Sequence, residues 1–196
     1  MKVGREFRTG PIAVDGVEIA RRIRRCLPGG KVLIVLRNQV DWLRSMYVHY
    51  FSYLPRQRRS FTDFLNTLEG KSAVSAGLFD ATLRQYFDTF GRDRVHVMLL
   101  EQVARQEDRT LRELCRFLGV DFFPHDPRRA DRNAGRGDAV AAVRRRVLAG
   151  LAALGWSNVG VLTEGEKSYL RAFYSASNAR TSRLLSLDLS RHGYPC

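Results

Sequence analysis

No run of apolar residues approaches the ~18 to 20 that a membrane-spanning helix needs; the longest stretch free of polar residues near the N-terminus is Val32 to Leu36. A transmembrane chain is not expected. The opening Met1-Lys2-Val3-Gly4-Arg5-Glu6 has charge but no apolar stretch behind it, so a secretory signal is lacking and the expected location is cytoplasmic. Cysteine is scarce. Cys26, Cys115 and Cys196 stand far apart, are odd in number and form no Cys-x-x-Cys, which excludes a disulfide framework and a zinc knuckle and leaves no metal site in view. Lysine is nearly missing too, at four of the 33 basic residues, the other 29 being arginine. Against 20 acidic residues the net charge is +13. Anionic partners are expected, and the planar arginine fork suits phosphate or sulfate, although a genome rich in G and C would give the same bias. What is present in quantity is apolar material, 44% of 196 residues with 10% aromatic, enough for one domain with a real core.

The pattern along the chain alternates helix and strand. Asp15 and Glu18 form a capping box before a helix with Ile19, Ala20, Ile23 and Leu27 on one face, ended by Pro28-Gly29-Gly30. Lys31 to Leu36 then reads as a buried parallel strand. From Val40 the period is helical, with Val40, Leu43, Tyr47, Tyr50 and Leu54 in one stripe until Pro55. Ser60 and Asp63 cap a helix facing inward through Phe61, Phe64, Leu65 and Leu68, and Glu69 to Gly77 reads as a flexible connection. Leu78 to Phe90 is helical, and Val95 to Leu100 is a second strand with Glu101 at its carboxyl end. Thr110 opens a helix that Gly119 closes. Residues 121–138 form a long basic loop, Ala139 to Leu154 a helix, Thr163 with Glu166 cap a helix to Tyr174, and Asn178 begins the last one. This order predicts an α/β layer with a parallel sheet. Two strands are few for such a sheet, because a strand apolar on both faces belongs in its interior.

Ligands of open α/β sheets bind beyond the carboxyl ends of strands, where Arg37 stands. At 100° per residue, Asp41, Ser45, His49 and Ser52 lie opposite the apolar stripe of the following helix. Arg37 and Ser45 could therefore converge on one phosphate, the guanidinium as a fork and the hydroxyl as a single donor; spacing alone equally allows a solvated Arg and an ordinary polar-face Ser. The segment Lys31-Val-Leu-Ile-Val-Leu-Arg-Asn-Gln-Val-Asp-Trp-Leu-Arg-Ser-Met-Tyr47 resembles the 3′-phosphate motif of sulfotransferases, which move sulfuryl groups from 3′-phosphoadenosine 5′-phosphosulfate. In that family the matching Arg and Ser hold the donor's 3′-phosphate, so the resemblance makes Arg37 and Ser45 the donor-binding residues. A second stretch, Tyr86 to Glu101 followed by Leu114-Cys-Arg-Phe-Leu-Gly-Val120, is similar to later family elements, and the wording around Asn38 to Leu43 looks most like bacterial carbohydrate-type members.

The resemblance implies an α/β, P-loop-like three-layer fold with a parallel sheet and a helical C-terminal part, in a single domain over residues 1–196 that lacks the N-terminal phosphate-loop strand. The family's Gly-, Ser- and Thr-rich cradle for the 5′-phosphosulfate finds no match; Gly29-Gly30-Lys31 precedes a strand and follows a helix, and reads as a helix stop. The implied function is sulfuryl transfer from the nucleotide co-substrate to a hydroxyl or amine, on a glycan or small-molecule acceptor, with no assigned catalytic base and an inactive isolated chain. The alternative is a non-catalytic remnant that binds a 3′-phosphorylated nucleotide or a partner subunit. Specific nucleic-acid binding ranks last, because basic residues spread from Arg5 to Arg191 with acids between them. Glu101 reads as structural, His49 as solvated and His96 as half-buried in its strand. Arg128, Arg129, Arg132 and Arg136 read as a solvated charge run, although some relatives send a basic loop over the donor from this region. The missing flanking strand leaves an apolar edge, so the chain is expected to aggregate, to form a homodimer through that edge or to be poorly stable.

Overall fold

Both apolar runs form strands, β1 (Val32–Leu36) and β2 (Val95–Leu99), paired in parallel from Val32↔Val95 to Leu36↔Leu99. The computed structural model describes residues 16–52, 60–124 and 161–196. Around the sheet run α1 (Gly16–Cys26), α2 (Gln39–Ser52), α3 (Phe61–Asn66), α4 (Leu68–Ala76), α5 (Phe79–Phe90), α6 (Leu100–Arg105), α7 (Glu107–Leu118) and α8 (Glu164–Leu185). Short 3-10 turns occupy Arg92–Arg94 and Leu189–His192. Parallel pairing demands a crossover, which α2 to α5 supply. The architecture is α/β.

The sheet is covered unevenly. Val32 and Ile34 of β1 and Val95 and Val97 of β2 pack with Ala20 of α1 and Phe90 of α5, and Leu36 and Leu99 pack with Phe79 and Leu83. On the other face His96 stacks on Phe117 of α7 at 5.0 Å, while Leu33 and Val35 stay 43% and 51% exposed. β1 is thus buried on one face only, not on both as its apolar run predicts. A second core lies under α2, where Leu43 and Tyr47 meet Phe61, Phe64, Leu170 and Tyr174.

Several expectations need correction. The segment read as a flexible connection over Glu69 to Gly77 contains α4, capped by Thr67, whose hydroxyl accepts from the Gly70 amide at 3.0 Å. Its Gly-Ser character serves close packing: a Cβ on Gly70 would lie 2.0 Å from the Phe64 carbonyl oxygen. Leu68 is exposed because the helix opened by Ser60 stops at Asn66. In α1 the inward stripe is narrower than expected, Ala20 being buried while Ile19 and Leu27 face solvent. The chain after β2 turns at once into α6, placing Glu101 in a helical first turn, and α7 starts at Glu107, so that Thr110 lies inside it. The two C-terminal helices are one continuous α8, because Asn178 is buried in side-chain bonds and caps nothing.

Other expectations hold. The capping boxes at Ser60/Asp63 and Thr163/Glu166 are both formed, and Gly119 closes α7 at φ 78°, a left-handed conformation that glycine adopts without strain. Cys26, Cys115 and Cys196 are free thiols. Leu54, residues 125–138 of the basic loop and the helix expected over Ala139 to Leu154 lie outside the described residues.

Candidate functional site

The carboxyl end of β1 is built by Asn38 and Gln39, whose side chains are both tied to distant parts of the chain. Asn38 caps α2: its Oδ1 accepts from the Val40 amide at 3.0 Å, and its carbonyl accepts from Trp42. Its amide donates to Glu101 Oε1 at 2.8 Å, and its Nδ2 donates to the Gly193 carbonyl. Gln39 is fully buried. Its Nε2 donates to Asn178 Oδ1 at 2.6 Å and to the Gly77 carbonyl at 3.2 Å, and Asn178 Nδ2 returns a bond to Gln39 Oε1 and one to the Pro195 carbonyl. This amide pair fixes the start of α2 against α8 and the turn before α5, so the helix leaves the strand in one direction.

Glu101 is the second fixed point. Its other oxygen accepts from the Tyr194 hydroxyl at 2.8 Å, and burial, followed by that bond to the carboxylate, pushes the Tyr194 phenol far above its ordinary range. With both oxygens committed, Glu101 ties the ends of β1 and β2 to the chain near Tyr194. This geometry suits the structural role expected of it.

Arg37 follows β1 on the alternation of Leu33 and Val35 and is half-buried, with no hydrogen bond or ion pair among the described residues. Two turns into α2, Ser45 is exposed on the same side as Asp41 and His49, opposite buried Leu43 and Tyr47, and its hydroxyl has no partner among the described residues either. A fork and a hydroxyl left without internal partners suit a phosphate. A polar cleft of about 410 Å³, lined by neither Arg37 nor Ser45, opens between Asn38, Asp41, Lys167, Arg171 and Tyr194; the Lys167 ammonium donates to Glu164 at 2.6 Å.

The other candidates separate from this end. Gly29 and Gly30 occupy the turn before β1 at the opposite end of the sheet, where Gly30 closes on the Leu27 carbonyl, so they cannot cradle a ligand held by Arg37. His96 is half-buried against Phe117, and burial lowers its pKa. Arg128, Arg129, Arg132 and Arg136 lie outside the described residues. Among the described residues no cluster of His, Cys, Asp and Glu is placed to hold a metal, and no helix is long and apolar enough to cross a membrane.

Comparison with known proteins points to one family. The model of the sulfotransferase domain matches residues 26–134, which span β1, Arg37, Ser45, β2 and α7. The chain belongs to the sulfotransferase domain family. It is similar to the crystal structure of a sulfotransferase from Alicyclobacillus acidocaldarius, with a TM-score of 0.61 and 28% identity over 88% of this chain and 61% of that one. The chain thus spans less than two thirds of that protein's length. No curated protein sequence matches it.

Proposed function

We propose that the protein binds 3′-phosphoadenosine 5′-phosphosulfate and serves sulfuryl transfer to a hydroxyl or amine of a glycan acceptor. The observation that carries this reading is the uncommitted pair at the carboxyl end of β1, half-buried Arg37 and exposed Ser45, inside the residues matched by the sulfotransferase domain. Arg37 would hold the 3′-phosphate bidentately and Ser45 would add one donor. When bound, the co-substrate supplies the sulfuryl group: its sulfur–oxygen bond to the phosphate breaks as a new bond to the acceptor oxygen or nitrogen forms.

The described residues fit the 3′-phosphate and not the 5′-phosphosulfate, since no Gly-rich loop stands at the carboxyl end of either strand. Charge stabilisation dominates transfers of this type, so donor binding and turnover should separate in this chain. The same observation favours a second reading, a nucleotide-binding protein that does not itself catalyse transfer.

Thermal denaturation tests the binding. 3′-Phosphoadenosine 5′-phosphate should raise the Tm and 5′-AMP should not, because only the former carries the 3′-phosphate. Arg37→Ala should weaken binding by about 2 to 5 kcal/mol, and Ser45→Ala by roughly 0.5 to 1.5 kcal/mol. Equal Tm shifts with both nucleotides, or an unchanged affinity in Arg37→Ala, would remove the assignment.

A further inference from the structure

Three segments meet at the amino ends of the strands, opposite the end that carries Arg37 and Glu101: the turn from Leu27 to Lys31, the 3-10 turn Arg92–Arg94, and the last turn of α7. They are held as one surface. Arg94 Nη1 donates to the Pro28 carbonyl at 2.9 Å, Arg24 donates to the same oxygen, and the Lys31 ammonium donates to the Phe117 carbonyl while lying 5.3 Å from that ring's centroid.

Two properties coincide there. Leu27, Leu118 and Val120 project into water at 61%, 45% and 56% exposure. Around them stand Arg24, Arg25, Lys31, Arg92, Arg94 and Arg116, against Asp93, Asp121 and Glu18, whose carboxylate accepts from Arg25 at 3.0 Å. Two of these guanidiniums lie over aromatic rings, Arg24 over Phe90 at 5.9 Å and Arg92 over Phe87 at 4.2 Å, which fixes their positions without removing their charge.

We propose that this end of the sheet docks the protein on an anionic lipid bilayer. Nucleic acid would answer the cations but leaves the protruding leucines and valine unrewarded, whereas a membrane interface accepts apolar tips below a ring of charge. The arginine forks match lipid phosphates, and no single anchor is strong enough alone. This surface lies at the end of the sheet opposite Arg37. The surface therefore works independently of nucleotide binding.

Flotation of the full chain with vesicles provides the test, because bound protein rises and aggregates sink. The chain should float with phosphatidylcholine vesicles containing phosphatidylglycerol, not with phosphatidylcholine alone, and added salt should release it. Arg25→Gln and Arg116→Gln should each weaken partitioning about fivefold, roughly 25-fold together. Leu27→Ser and Leu118→Ser, both at exposed positions, should each weaken it by roughly tenfold. Arg116→Lys should retain binding. The double variant Arg171→Gln/Arg183→Gln on α8 removes the same net charge and should float normally, and far-UV circular dichroism checks that each variant is folded. An equal loss in the α8 variant would reduce the effect to net charge and overturn the proposal. Equal flotation with neutral vesicles would also overturn it, as would retention on duplex DNA without vesicle binding.

Discussion

Asp80 is a carboxylate that the fold has dehydrated, whereas Arg37 is a guanidinium left uncommitted, and the two should respond differently to substitution. Asp80 is buried at the start of α5 and accepts from Ser177 Oγ and Arg180 Nε of α8. Burial alone would raise its pKa, but the bonds from Arg180 and Ser177 outweigh it and hold the carboxyl below the ordinary aspartate range. A folded value below the unfolded one means that the native state binds fewer protons between the two. The stabilisation is therefore complete above the unfolded pKa and lost as pH falls through the folded one. Asp80→Asn should lower stability at neutral pH by roughly 1 to 3 kcal/mol and flatten part of the acid limb. Denaturant titrations at neutral and acidic pH compare the two proteins; an identical pH dependence would show that Asp80 carries none of it. Arg37→Ala, by contrast, removes no bond among the described residues, so its Tm without nucleotide should stay close to that of the parent while the nucleotide-induced shift disappears. A large loss of intrinsic stability would reveal a structural role in place of a binding one.

At the scale of elements, α4 offers a test in which propensity and packing predict opposite signs. Replacing a helical glycine by alanine ordinarily stabilises by about 0.5 to 1 kcal/mol. At Gly70 the added Cβ would meet backbone, 2.0 Å from the Phe64 oxygen, and a carbonyl fixed by the junction of α3 and α4 cannot swing aside as a flexible side chain would. Gly70→Ala should therefore destabilise by roughly 1 to 3 kcal/mol, seen as a lower Tm. A raised Tm would mean that the junction yields. The same element shows what was legible in the sequence. Both strands, the capping boxes at Ser60 and Thr163 and the Gly119 stop could be read because each rests on residues a few positions apart. Arg37 and Ser45 could be singled out for the same reason, being eight positions apart along one strand–helix unit. α4 was hidden because its glycine and serines look like a linker until Phe64 is packed against them. The continuity of α8 was hidden because Asn178 looks like a cap, and its actual partner, Gln39, lies 139 residues away. No local pattern announces such a pair, nor the Tyr194–Glu101 bond across 93 residues.

Among the described residues the sheet is unbalanced, and that imbalance governs how the chain should behave in solution. Among the described residues β1 pairs with β2 on one edge and with nothing on the other, and beside the free edge Leu33 and Val35 remain about half exposed. Unpaired amides and carbonyls next to apolar side chains form a template for another strand. Covering each of the two side chains fully would contribute about 1.5 to 3 kcal/mol. A second copy offers the same edge, and two identical edges related by a two-fold axis are self-complementary. The isolated chain should therefore self-associate as concentration rises, and Leu33→Lys or Val35→Lys should shift it toward monomer without unfolding it, since both positions already face water. Light scattering coupled to size-exclusion chromatography measures this directly. Sulfuryl transfer from labelled donor, followed on the same fractions, should be absent from monomer and dimer alike, because pairing two β1 edges brings no phosphate cradle to Arg37. A monodisperse monomer over the whole concentration range would show that the free edge is protected from within the chain. Turnover by such a monomer would show that the cradle and the base also lie within these 196 residues.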